Sequence, residues 1–228
     1  MCCEHGVGVS YLSEQGRFLA RVHGPVSGNV LLRRQQYRVA DMPDASLPIV
    51  RSIIASKLAN SRIVLLRAAR ETDDEERQER LRGAAATLSW TGIDSVRAAS
   101  IDEARGHEGA GAQAYFSVFN DMITGDREAF HFAERSRRPP RDRVNALLSF
   151  LYALLRHDIV SALESVGLDP AVGFLHTDRP GRPSLALDMM EELRSPLADR
   201  LALTLINRRQ VQADHFHQED GGGTLLRD

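Results

Sequence analysis

The chain is poor in several features that would each commit it to a class of protein. It has two cysteines, and they are neighbours, Cys2 and Cys3. A disulfide framework needs spaced pairs, so none is encoded, which fits a reducing compartment. It has a single Trp, and aromatics are only 6% of the residues. The core must then rest on Leu, Ile, Val, Ala and Met. Neither charge dominates: 29 Lys and Arg stand against 31 Asp and Glu, a net charge of −2. That excludes a polycation that binds nucleic acid with its whole surface, so any phosphate-binding region must be local. The opening residues, MCCEHGVGVS, hold no basic stretch followed by an apolar one, and no secretion signal is read there. The longest apolar run, residues 144–155, is too short to span a bilayer. Together these absences predict a soluble, cytoplasmic protein. No internal repeat is visible, and no Ser–His–Asp or Cys–His arrangement suggests a protein nucleophile.

What the chain does have is 43% hydrophobic residues over 228 positions, enough for one good core, or one domain plus part of another. Leu and Ala are common and strand-like clusters are confined to the two ends, so a mostly α fold is expected. Residues 7–13 and 17–23 are rich in β-branched and aromatic side chains, with Glu14, Gln15 and Gly16 between them, which predicts a β-hairpin. A lone hairpin is marginal in water, and nothing nearby supplies more sheet. Residues 1–40 therefore read as the end of a β-domain and a linker, and 41–228 as a helical domain. Ser27 or Asn29 is a cap for the helix that follows.

Residues 42–50 read as a linker and helix start. A helix is predicted over 48–70, with a break at Asn60 and Ser61. The charges of 71–83 lie at helical neighbour spacing and predict a solvated helix. Short helices follow at 84–88 and 101–105, then a helix at 106–122 whose Gly and Ala residues let a neighbour approach. Residues 135–143, RSRRPPRDR, form a basic, Pro-containing loop. Helices are predicted at 143–157 and 158–167, and from Ser184 to about Arg209, with Pro196 ending or kinking the last. The tail reads as a strand, a glycine loop and a further strand without an obvious partner.

Asp188 and Glu191 are three apart, which places both carboxylates on one helical face, and Glu192 is four from Asp188. His176, in the preceding loop, can fold back beside them, and Glu108 lies on another helix. Two or three carboxylates with one imidazole suit Mg²⁺ or Mn²⁺ better than zinc. By spacing alone the signal is weak, because acids at this interval occur on many solvated helices. Arg137, Arg138, Arg141 and Arg143 in the basic loop, and Arg182, can follow a phosphate backbone; for any single Arg a solvated turn is an equal reading. His157–Asp158 forms an HD dipeptide, but in an apolar helix with no partners at suitable spacing, so it reads as structural.

Four blocks change the weight of these residues: GVGVSYLSEQGRFLARVHGPVSGNVLLRRQQYR at 6–38, GHEGAGAQAYF at 106–116, RRPPRDRVNALLSFLYALL at 137–155 and GFLHTDRPGRPSLALDMMEELRSPLADRLALTLINRRQ at 173–210. In order and in content they resemble the CRISPR-associated adaptation integrases, the Cas-one family, most of all members from type I-C systems. The resemblance implies a C-terminal helical catalytic domain preceded by the last β-hairpin of an N-terminal β-domain, and so a chain cut short at both ends relative to the family. It implies a metal-dependent DNA endonuclease and integrase that inserts new spacers into a CRISPR array in a prokaryotic cytoplasm. The metal ligands would be Glu108, His176 and Glu191, with Asp188 an accessory acid, Mg²⁺ or Mn²⁺ the cofactor, and DNA, a Cas-two protein and a second copy of the chain the partners. The competing readings are an inactive fragment that at most binds DNA or a partner, and an unrelated metal-dependent phosphohydrolase, which would need acidic clusters that the chain does not display.

Overall fold

The computed structural model describes residues 9–13, 18–22 and 29–227, together with His5. Two strands open it, β1 (Val9–Leu12) and β2 (Phe18–Val22), paired antiparallel with a bulge between Tyr11 and Leu12. Ser27 and most of the turn lie outside the described residues. Seven α-helices follow: α1 (Val30–Ala40), α2 (Pro43–Glu71), α3 (Glu75–Arg97), α4 (Ile101–Ser117), α5 (Arg143–Ser165), α6 (Ser184–Leu193) and α7 (Arg200–Asn207). A second hairpin, β3 (Phe216–Gln218) with β4 (Thr224–Leu226), closes the described chain. The mostly α expectation holds.

Several boundaries differ from the sequence reading, each for a physical reason. α2 begins at Pro43, because proline is tolerated in a first turn where its missing N–H would have no partner anyway. It also runs straight through Asn60 and Ser61. These two residues are not a break but a docking point: Asn60 Nδ2 donates to the Glu192 carbonyl at 2.8 Å, and the Ser61 and Ser195 hydroxyls meet at 2.6 Å. The short helices expected at 84–88 and 101–105 belong to the longer α3 and α4, each capped by a side chain, Asp74 to Arg77 N and Ser100 to Glu103 N.

The two helices expected over 143–167 are one, α5, with Asp142 as its cap. It is 23 residues long and by length and composition apolar enough to cross a membrane, so the limit drawn from residues 144–155 alone does not hold. Here it is a core helix. Val144, Leu147, Leu148 and Leu151 enter the main core and Ile159, Val160 and Leu163 a second cluster with Leu185 and Met190. Pro196 neither ends nor sharply breaks its helix; the chain widens into a π-helical turn over Arg194–Asp199. The tail strand, too, has its partner: β4 pairs with β3, and Thr224 N donates to the Pro140 carbonyl at 2.7 Å.

The core centres on α2, which packs mainly on α3, α4 and α6. Gly111 lets α4 come close, since a Cβ there would run into the Leu58 side chain. Asn29 caps α1, accepting from Leu31 N and Leu32 N. α1 is bolted to the loop that leads toward α6: buried Gln36 donates to the Asp169 and Val172 carbonyls and accepts from Asp169 N, and Tyr37 donates to Asp169 Oδ2 at 2.7 Å.

Below the π-helical turn lies a buried carboxylate. Asp199 is 1% exposed and accepts from Tyr152 Oη at 2.6 Å and Tyr115 Oη at 3.0 Å. Burial, then the negative charge of Asp199, holds both tyrosines well above the usual phenol range, so they remain donors. Burial pushes the Asp199 carboxyl itself up to about 6, against the pull of both tyrosines, Arg194 and Arg135. Its proton is thus held more tightly in the folded chain than in the unfolded one, where 3.8 applies. The stability it contributes is fully present below that lower value and is lost as pH rises through about 6. The loss is on the order of 2–3 kcal/mol. Urea unfolding of the wild-type chain and of Asp199→Asn at pH 4.5 and 7.5 checks this: the wild type should lose about that much relative to the variant on going to the higher pH, and a pH-independent difference would contradict it.

Candidate active site

Asp188 is fully buried in α6, and its carboxylate gathers the preceding loop around it. Phe174 N and Leu175 N donate to Oδ2 at 2.6 and 3.0 Å, and His176 N donates to Oδ1 at 2.9 Å. The His176 ring nitrogen Nδ1 lies 2.7 Å from the same Oδ1. A carboxylate can only accept, so Nδ1 carries a proton and Nε2 is the nitrogen left facing outward. Gly173 makes this approach possible: a Cβ there would sit 2.8 Å from the Ser184 carbonyl carbon and 2.9 Å from Asp188 Oδ2.

One turn on, Glu191 is 3% exposed and faces His176 Nε2 at 3.9 Å from Oε1. Arg194 Nη1 donates to that oxygen at 2.5 Å. Burial alone would raise the Glu191 carboxyl, but Arg194, Lys57 and His176 outweigh it and hold it below the usual carboxylate range. Glu191 is therefore an ionised, buried ligand-type oxygen pair.

Glu108 reaches the same place from α4, where Gly111, one turn further on, lets the helix lie against α2. Between the two glutamates stands Lys57 of α2. Its ammonium donates to Glu108 Oε1 in a very short contact and lies 2.6 Å from Glu191 Oε2. The second contact is an ion pair that helps hold Glu191 in its charged form. Among the described residues no three His, Cys, Asp or Glu side chains close into a ligand cluster. The interposed ammonium explains this, since it occupies the point on which the carboxylates converge. Two carboxylates and an outward-facing imidazole nitrogen form a donor set whose oxygen-rich chemistry fits a hard divalent ion.

The site opens into a cleft of about 290 Å³ lined by Arg105, Glu108, His176, Thr177, Arg182 and Glu191. Arg105, one turn before Glu108, donates Nε and Nη2 to the Leu175 carbonyl and so ties α4 to the His176 loop. On its other side Glu108 borders a small cavity with Arg137, Arg135 and Arg194. Of the basic loop, Arg137, Arg138 and Arg141 are exposed, whereas Arg143 donates to the Ala129 carbonyl at 2.9 Å and braces the chain there. Asn145 shapes this loop, accepting from Ser136 N and Arg135 and donating to the Glu134 carbonyl.

The structure therefore brings Glu108, His176, Asp188 and Glu191 together, with Arg182 at the rim and Arg137 on the far side of Glu108. Glu192 does not line the cleft, and its backbone carbonyl accepts from Asn60. Sequence reasoning missed Lys57, Arg105 and Arg194. Arg194 is three residues from Glu191 and could have been found by the same helical spacing that paired Asp188 with Glu191. Lys57 also carried a signal: it is the sole lysine among 29 Lys and Arg residues.

The family model described as CRISPR associated protein Cas1 matches residues 1–228. The CRISPR-associated endonuclease Cas1 1 of Chlorobaculum tepidum is 52% identical over 227 residues, covering 100% of this chain and 66% of its own length. The endonuclease Cas1 2 of Rhodospirillum rubrum is 54% identical over 231 residues, with the same coverage of 100% and 66%. The chain thus spans just under two thirds of these relatives. Among solved structures, a CAS1 protein from Thermotoga maritima superposes with a TM-score of 0.82 at 25% identity, over 100% of this chain and 69% of its own. A casposase bound to integration product gives 0.78 at 27%, over 99% and 61%. A Cas6-RT-Cas1–Cas2 complex gives 0.79 at 28%, over 99% and 24%. A family match along the whole chain, with a fold shared at this level, means that the chain belongs to the Cas1 family.

Proposed function

We propose that this chain is a divalent-metal-dependent DNA endonuclease and integrase of CRISPR adaptation, with its reaction centre at Glu108, His176 and Glu191. The observation that carries the reading is that Glu108 and Glu191 share one lysine ammonium while the fixed His176 imidazole stands 3.9 Å from Glu191, all three acidic and imidazole groups lining one open cleft. Its relatives are named endonucleases, and a structural neighbour is a casposase bound to integration product, which supports both the reaction class and DNA as substrate. The likeness to a Cas6-RT-Cas1–Cas2 complex supports a Cas-two protein as partner. A second copy of the chain is a further partner that the family resemblance implies.

Glu108, His176 through Nε2, and Glu191 would hold Mg²⁺ or Mn²⁺. Such an ion would polarise the scissile phosphate and make the attacking water or 3′-hydroxyl more acidic. The chain's own groups do the rest. Asp188 fixes the His176 ring in one tautomer and one orientation, the usual role of a carboxylate behind a ligating histidine. Arg194 keeps Glu191 ionised and in place. Arg182 at the cleft rim, and Arg137, Arg138 and Arg141 on the basic loop, hold the phosphate backbone on either side of the centre. Arg143 supports that loop from beneath. No protein nucleophile is needed.

Three outcomes are expected. Cleavage of branched DNA in Mn²⁺ should fall at least about 100-fold in His176→Ala, while DNA binding is retained. Loss of binding with unchanged helicity would instead make His176 part of the DNA contact. Asp188→Asn should lower the rate about 10–100-fold, with cleavage recovering partly as Mn²⁺ is raised. An unaffected rate would remove Asp188 from the centre. Replacing Arg138 and Arg141 by Ala should weaken DNA binding and flatten its dependence on log salt by about one for each arginine. An unchanged slope would take the loop out of the interface.

A further inference from the structure

Of the 29 Lys and Arg residues in this chain, all are arginine except Lys57, the one between Glu108 and Glu191. The difference is chemical. An arginine would clamp a carboxylate with a planar fork of donors and stay. A lysine is a compact point charge on a flexible stem, able to hold two carboxylates and then leave them. Lys57 has the placement for this. Its ammonium donates to Glu108 Oε1 and stands 2.6 Å from Glu191 Oε2, bridging the two carboxylates. Its side chain is 12% exposed. An ammonium and a divalent ion cannot both occupy the point where the two glutamates converge.

We propose that Lys57 is an internal counter-ion of the centre, which balances Glu108 and Glu191 in the metal-free chain and is displaced from them when a divalent ion binds. The inference rests on the reading of Glu108, His176 and Glu191 as metal ligands. Lys57 is thus a residue that sets the metal requirement rather than a ligand. Without it, two carboxylates would face each other around an empty point, one of them buried, and the metal-free fold would weaken. With it, a divalent ion binds only by outcompeting the ammonium, and the apparent affinity drops by the occupancy of the closed, Lys-bridged state. Lys57 also lines a small cavity of about 50 Å³ with Glu108, Ala112 and Phe116, toward which the displaced side chain can turn.

The test is calorimetric titration of Mn²⁺ into the chelator-treated chain and into Lys57→Met, which keeps the length of the stem. The variant should bind Mn²⁺ on the order of ten-fold more tightly than the wild type. It should also melt at a lower temperature without Mn²⁺ and gain more on adding it. Equal or weaker binding by a folded variant would overturn the proposal while leaving the metal site standing. No Mn²⁺ heat from either protein would overturn the metal reading and the proposal with it. Wild-type protein supplies an independent readout should the variant fail to fold. With a single lysine, acetylation by an amine-selective ester can be followed at Lys57 by mass spectrometry. It should be slow in chelator and several-fold faster in saturating Mn²⁺. An equal or slower rate in Mn²⁺ would show the ammonium still bound between the glutamates and overturn the proposal.

Discussion

The Asp188 carboxylate is the contact on which the site depends. It is wholly buried, and such a charge is tolerated only where it is fully hydrogen-bonded. Three consecutive backbone amides and the His176 ring satisfy it. Bonds of this charge-assisted kind are roughly twice as strong as neutral ones. One side chain therefore does two things. It folds residues 174–176 against α6, and it turns the imidazole so that Nε2 faces Glu191. The need for a residue without a Cβ at Gly173, and the Arg105 bonds to the Leu175 carbonyl, follow from the same close approach.

Around this contact charges are arranged in two layers. The outer one, Lys57 with Glu108 and Glu191, is close to the cleft and balances positive against negative at the point where chemistry is proposed. The inner one is built around buried Asp199, with Tyr115, Tyr152 and the guanidinium groups of Arg135 and Arg194 near the Tyr152 ring. Arg194 belongs to both, bonding Glu191 while its charge acts on Asp199. The π-helical turn gives this sharing its geometry, because Arg194 opens the turn and Asp199 ends it. A widened turn in a helix is often found where function asks for a side chain that regular spacing would misplace.

Much of this was legible in the sequence, though not evenly. Helical composition, the opening hairpin and the Asp188–Glu191 face follow from local spacing, and the structure contains all three, whereas the pairing of the two tail strands was not read. Glu108 and His176 were legible only through blocks resembling a family, since a Glu in a Gly-rich helix and a lone His in a loop carry no spacing that joins them. The polar residues misled. Asn60 and Ser61 suggest a break when read locally, yet they are satisfied by partners more than a hundred residues away, Glu192 and Ser195. Pro196 and Pro43 likewise signal interruption, but a π-helical turn absorbs the first and the opening turn of α2 the second. Lys57 was hidden because its role depends on two carboxylates from two other helices, and no local pattern reveals that.

The central claim, that Glu108, His176 and Glu191 converge on one divalent ion, is tested most directly by anomalous diffraction from crystals of the chain soaked in Mn²⁺. The account predicts a single strong peak within coordination distance of both glutamates and of His176 Nε2, with Nδ1 still on Asp188. A peak elsewhere, or coordination through Nδ1 with the Asp188 contact broken, would contradict it.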